Sequence, residues 1–276
     1  MILGSRYSRL FLVLFGVALV MTGLFFYRSA AQARTAGVGG AMESSPFRPG
    51  ERYVYKLHWG IIQAGLAELA VMPTAELDGV PVWNFRLSVR TNEFVDVFYK
   101  VRDRIDSFVA LSMQESLLYR KSQREGRSVR EEEVRFDNEK RRATHSNHGQ
   151  SAPSIGLMAG TIDPLAAIFY IRTQPLSEGL EIVRPITDGK KNVLGVSRVV
   201  GREKLVVNGV EYDTLKVEPD LKNVGGVFEK SDKSRITLWF TADERRLLLK
   251  VEGKVVVGAF TGTLSEFTAY PLPPMD

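Results

Sequence analysis

From Glu51 onward, apolar and polar residues alternate with a period of two. Tyr53, Tyr55, Leu57 and Trp59 share one face, with Arg52, Lys56 and His58 among the alternates. Successive side chains of a strand point to opposite faces, so this is the pattern of a half-buried strand. A glycine-bounded turn over 60–65 leads into a second strand over 66–72. Asp78-Gly79 is a hairpin signal, and the return strand puts Trp83, Phe85, Leu87 and Val89 on one face. Residues 94–110 read as one long strand. Two more, over 112–123 and 128–136, pair around Glu125-Gly126. Residues 144–154 are polar and read as a loop. After residue 176 the strands resume over 180–187, 191–200, 205–207 and 210–217, and Asn208-Gly209 closes the strongest hairpin signal of the chain. Val227 and Phe228 lead into a basic turn, and strands over 235–241, 246–252 and 255–270 follow.

One stretch breaks the period. Over 162–176, Leu165, Ile168, Phe169 and Arg172 recur at helical spacing, while Ala166, Tyr170 and Ile171 make the remaining faces apolar. Asp163 is a good N-cap, Pro164 suits the first helical position, and Pro175 stops the helix. A short helix that is apolar nearly all round needs burial on several sides. The pattern therefore predicts an all-β, mainly antiparallel fold: a curved or barrel-like sheet of about a dozen strands enclosing the 163–174 helix.

The amino terminus departs from both patterns. Arg6 and Arg9 precede an uncharged apolar run over 10–27, Arg28 follows it, and Ala31-Gln32-Ala33 is a cleavage-site pattern. Residues 1–33 read as a signal peptide or an uncleaved membrane anchor, and either routes the body out of the cytoplasm. Residues 34–50 are small and glycine-rich and read as a flexible linker. The expected organisation is completed by one β-rich domain over 51–270 and a proline-rich tail over 271–276.

Charge matters once this segment is set aside. It carries three of the 37 basic residues and no acid, leaving 34 basic against 32 acidic residues in the body. That balance removes nucleic acid as an expected partner. The chain has no cysteine, which excludes a thiol nucleophile, a disulfide framework and a lipidated amino-terminal cysteine.

Catalytic signatures are missing: there is no G-x-S-x-G, S-x-x-K or H-E-x-x-H. His145 and His148 form the one close histidine pair and read as part of a solvated loop rather than a metal site. Glu131, Glu132 and Glu133 read as strand charges, and the basic stretch over 120–142 is too interleaved with acids to be a nucleic-acid stripe. No catalytic residue, metal ligand or cofactor site is assigned. The aromatic residues read first as core. Their second reading is the lining of an apolar cavity, for which Trp59, Trp83, Phe85, Tyr99, Phe169, Tyr170 and Trp239 are the candidates.

Several stretches together resemble a known family. They are Phe47-Arg48-Pro49-Gly50-Glu51-Arg52-Tyr53 with Trp59-Gly60 and Ala64-Gly65; Val101 to Ser107; Asp163-Pro164-Leu165 with Tyr170-Ile171-Arg172; and Leu238 to Asp243 with Arg246. As a set, running over about residues 47–267, they resemble the domain of unknown function 3108. The resemblance implies an exported, mainly β protein of a bacterial envelope and supplies no catalytic residue. The expectation is a non-catalytic protein of the periplasm or envelope of a Gram-negative bacterium. It would hold a lipid or other apolar component, or act as an assembly scaffold through protein contacts. A cell-wall or lipid hydrolase ranks third, and membrane contact is expected only through an uncleaved amino-terminal segment.

Overall fold

The structure is a computed structural model that describes residue 42 and residues 44–220, 235–255 and 258–269. The signal or anchor, most of the 34–50 linker, the turn at Val227 and Phe228, and the 271–276 tail lie outside the described residues.

The strands run β1 (Glu51–Trp59), β2 (Ile62–Val71), β3 (Ala75–Leu77), β4 (Val80–Thr91), β5 (Val101–Ala110), β6 (Ser116–Glu125), β7 (Ser128–Asp137) and β8 (Arg142–Asn147). They continue with β9 (Gln150–Ser151), β10 (Ile155–Gly156), β11 (Glu181–Thr187), β12 (Asn192–Val207), β13 (Val210–Pro219), β14 (Arg235–Thr241), β15 (Leu248–Val255) and β16 (Gly258–Ala269). Two helices interrupt them, α1 (Glu93–Asp96) and α2 (Pro164–Thr173). All sixteen strands belong to one antiparallel sheet, ordered β10-β8-β7-β6-β5-β4-β2-β1-β16-β15-β14-β13-β12-β11 with β3 and β9 at its margins. The first and last long strands therefore meet in the middle, where Glu51 pairs with Ala269 and Trp59 with Phe260.

The sheet curls without closing. Edge strand β11 is tied back to β6 by the segment before α2. The Ile162 N–H donates to Pro185 O and the Thr187 N–H to Ile162 O, both at 3.0 Å, and the Ser116 N–H donates to Thr161 O at 3.2 Å. This seam gives edge strand β11 partners that an open sheet would leave exposed.

Helix α2 forms as its capping residues predict. Asp163 is extended, and one carboxylate oxygen accepts from the N–H groups of Leu165 and Ala166, both at 2.9 Å. The other accepts from the hydroxyls of Ser107 on β5 and Ser116 on β6, both at 2.6 Å. One buried side chain thus fixes the helix start and its attachment to the sheet. Helix and inner sheet face enclose a solid aromatic cluster. The Phe85 and Phe169 rings stack with centroids 3.7 Å apart, and Phe47 meets Trp83, Phe85 and Phe169 edge-on. Phe47 is fully buried, so packing begins ahead of Glu51, within the stretch that composition reads as linker.

Three readings of the pattern need correction. Residues 94–110 are not one strand: α1 occupies 93–96, because the Asn92 side chain accepts from the Val95 N–H at 2.9 Å and starts a helical turn. Residues 144–154 are not a loop. β8 and β9 pair across a turn in which His148 and Gly149 take positive φ. Their inner face is polar, which hides the alternation. The strands read at 191–200 and 205–207 are one, since a bulge between Val199 and Gly201 carries β12 through the interruption.

Candidate functional site

Below the aromatic cluster the interior is not filled. Pro164, Leu165 and Ile168 at the start of α2 stand off from the curved sheet and leave a cavity of about 140 Å³. Its floor comes from Ala67 and Leu69 on β2, Leu87 and Val89 on β4, and Ile105 on β5. Its far wall comes from Tyr55, Leu57, Val251 and Phe260, on strands that lie together only because β1 pairs with β16. Leu57, Leu87, Ile168 and Val251 are half-buried, so the lining reaches the surface on this side.

The polar groups of this mostly apolar wall are the hydroxyls of Tyr55, Tyr119 and Thr261 and the ring of His58. Tyr55 is satisfied, donating to Leu248 O at 2.9 Å. Tyr119, on β6, is 2% exposed, and its hydroxyl has no hydrogen-bond partner among the described residues. Burial, reinforced by the charges of Asp163, Asp188 and Glu132, pushes its pKa well up, so it is a neutral phenol. An apolar cavity of this size takes a ring or short alkyl group; an unpaired phenol adds one point of hydrogen bonding.

None of the seven aromatic residues singled out from the sequence is in the cavity wall. Trp83, Phe85 and Phe169 form the solid cluster above it. Trp59 stacks on the wall residue Phe260 with centroids 6.2 Å apart. Tyr170 lies under the Arg184 guanidinium, and Tyr99 covers the turn at Gly126. Trp239 faces away from α2, donating to Glu203 at a short distance and lying 4.5 Å from the Lys250 ammonium. The cavity wall is mostly aliphatic and drawn from many strands, a combination that no single window of sequence displays. Tyr119 alternates with Lys121 and Gln123, so its face reads as polar and solvated.

That polar continuation is itself buried. Lys121 is 2% exposed and pairs with Glu132, which also meets Lys190 at 3.2 Å and lies 3.6 Å from His145. Burial raises the Glu132 pKa, but the two lysines outweigh it and hold the carboxyl at about 2. Farther along β6, Gln123 donates to Asp103 on β5 (3.3 Å) and to Glu125 (3.2 Å). Burial and the adjacent Asp103 push Glu125 up to about 7, so the two carboxyls share a proton near neutrality. His148 contacts Val129 O, away from His145's carboxylate partner. No group of three His, Cys, Asp or Glu among the described residues has metal-binding geometry, and no helix among them is long and apolar enough to cross a membrane.

The profile of the family described as "Protein of unknown function (DUF3108)" matches residues 54–265. The chain belongs to the DUF3108 family. The match covers nearly every strand and every cavity-lining residue of this DUF3108 chain. Its fold is similar to that of a β-barrel-like protein of the DUF1849 family from Brucella abortus, with a TM-score of 0.51 and 10% identity over 80% of this chain and 97% of that one. At that identity the likeness shows the fold alone. A predicted lipoprotein from Parabacteroides distasonis is more distant, with a TM-score of 0.33 and 9% identity over 82% of this chain and 98% of that one. Comparison with curated proteins finds no match.

Proposed function

We propose that this DUF3108 protein is an exported, non-catalytic binding protein of the bacterial envelope that holds the apolar portion of a lipid or similar small molecule. The observation that carries the reading is the cavity between α2 and the sheet, lined mostly by aliphatic side chains, with the Tyr119 hydroxyl, His58 and Thr261 as its polar groups. Its volume accommodates the end of an acyl chain or a single ring, with the rest of the ligand leaving past Leu57 and Leu87. The apolar run and cleavage pattern of residues 1–33 support export to the periplasm.

The test is native mass spectrometry with lipid extraction on the protein isolated from a bacterial envelope. A stoichiometric apolar molecule is expected, lost from Leu69→Trp and bound about three- to tenfold more weakly by Tyr119→Phe. An apo mass that persists after incubation with envelope lipids overturns the reading. A second reading, a scaffold acting through protein contacts, is favoured by one observation: a cluster of exposed apolar residues at one end of the barrel.

A further inference from the structure

That cluster is built from two elements. Ile61, in the β1–β2 turn, is 100% exposed and Ile62 44%. Next to them α1 and the two residues that follow it turn Phe94 (64%), Val97 (79%) and Phe98 (71%) outward and only Val95 inward. The two elements are locked together. The Asn92 N–H donates to Ala64 O at 3.0 Å and its side-chain amide to Gln63 O at 2.6 Å. Asp96 accepts from Arg102 at 3.1 Å and from the Thr91 hydroxyl, which keeps α1 from folding inward. A held turn that presents two phenylalanines and an isoleucine to water has no explanation in the packing of the monomer.

Two further observations say what covers it. The first is charge. Lys100 follows the phenylalanines, Arg127 sits in the β6–β7 turn, whose Gly126 packs against Tyr99, and Arg90 is the last residue but one of β4; all three are exposed, against Glu93 as the exposed acid of α1. The second is position. The cavity wall reaches His58, Phe260 and Thr261 at this same end, where the Gly60 N–H donates to Ala259 O at 3.1 Å. Projecting apolar tips flanked by cations fit the boundary between phosphates and acyl chains, where apolar side chains enter the chains and basic ones meet the headgroups.

We propose that this end of the protein docks onto an anionic bilayer, with Ile61, Phe94, Val97 and Phe98 entering the acyl boundary and Lys100 and Arg127 contacting headgroup phosphates. The docking goes beyond the carrier reading and does not depend on the cavity being filled, although it would set the cavity mouth against the bilayer.

Because the chain has no cysteine, single labels report each site cleanly. The full chain, carrying Ile61→Cys, Val97→Cys or Glu76→Cys with an environment-sensitive fluorophore, is mixed with phosphatidylethanolamine–phosphatidylglycerol vesicles. The labels at 61 and 97 are expected to shift to the blue and to be quenched by lipids bearing nitroxides on their chains. The label at 76, at the opposite end of the barrel, is expected to remain water-like. Phosphatidylcholine vesicles or the Phe94→Ser/Phe98→Ser pair should weaken the response at 61 at least about tenfold. Labels at 61 and 97 that stay water-like on the anionic vesicles overturn the proposal. So does a blue shift that appears without vesicles as protein concentration rises, which would assign the face to a second copy of the chain.

Discussion

Arg172 shows how much one residue contributes to this fold. It lies on α2, is 2% exposed, and donates to Tyr53 (2.9 Å), Pro46 O (3.1 Å) and Arg245 O (3.0 Å). Its guanidinium also lies 3.6 Å from the Glu51 carboxylate and 5.3 Å from the Phe47 ring. Arg172→Met leaves Glu51 buried beside Tyr53 without a cation, and should cost about 3–5 kcal/mol in chemical unfolding. Adding Glu51→Gln to that variant should recover part of the loss; no recovery would mean that packing rather than charge sets the cost. Glu125 gives a prediction of opposite sign. Its folded pKa, at about 7, lies above the ordinary 4.5, so the folded state binds the proton more tightly. Its contribution is fully present below about pH 4.5 and is lost as pH rises through about 7. Glu125→Gln imitates the protonated form. It should match the parent at pH 4.5 and exceed it by about 2 kcal/mol at pH 8, read as a Tm difference against pH.

At the scale of elements, legibility followed the number of local signals. Helix α2 carried a cap, a proline at its start and a proline at its end, and it forms from Pro164 to Thr173. The Asn208-Gly209 hairpin was equally explicit, and both residues take positive φ in it. Helix α1 was hidden because its signal is a single side chain, Asn92, inside an alternating stretch. The cavity was hidden for a different reason: its wall is assembled by the pairing of β1 with β16, which no local pattern reports. The Ala64-Gly65 pair of the family-like signature gains a physical meaning here. A Cβ at Gly65 would stand 2.1 Å from Arg90 O and 2.8 Å from the Thr91 Cα, so β2 approaches β4 more closely than any other residue permits. Gly65→Ala should part these strands just where α1 is attached. The expected sign is faster amide exchange over 62–66 and 90–96 with β12 and β13 unchanged; uniform exchange would show that the close approach is not what holds this corner.

The whole molecule is a curled sheet whose two ends are packed differently. At one end Phe47, Trp83, Phe85 and Phe169 interlock with Arg172 around them, and the interior is solid. Toward the other, the mostly aliphatic wall encloses about 140 Å³ of unfilled space that reaches the surface at Leu57, Leu87, Ile168 and Val251. If the void were merely imperfect packing, filling it should help the protein and harm nothing. If it is a binding space, filling it should stabilise the protein and remove the ligand together. Leu87→Phe adds volume at the half-buried mouth and should raise stability by about 1 kcal/mol while abolishing uptake of a fluorescent fatty acid. Phe85→Ala makes a new void at the solid end and should cost about 3–5 kcal/mol without creating uptake. The two variants lie on the same strand and change the same kind of surface. Opposite effects on stability, with uptake lost only in the first, would separate a designed hollow from an accidental one; uptake that survives Leu87→Phe would place the ligand elsewhere.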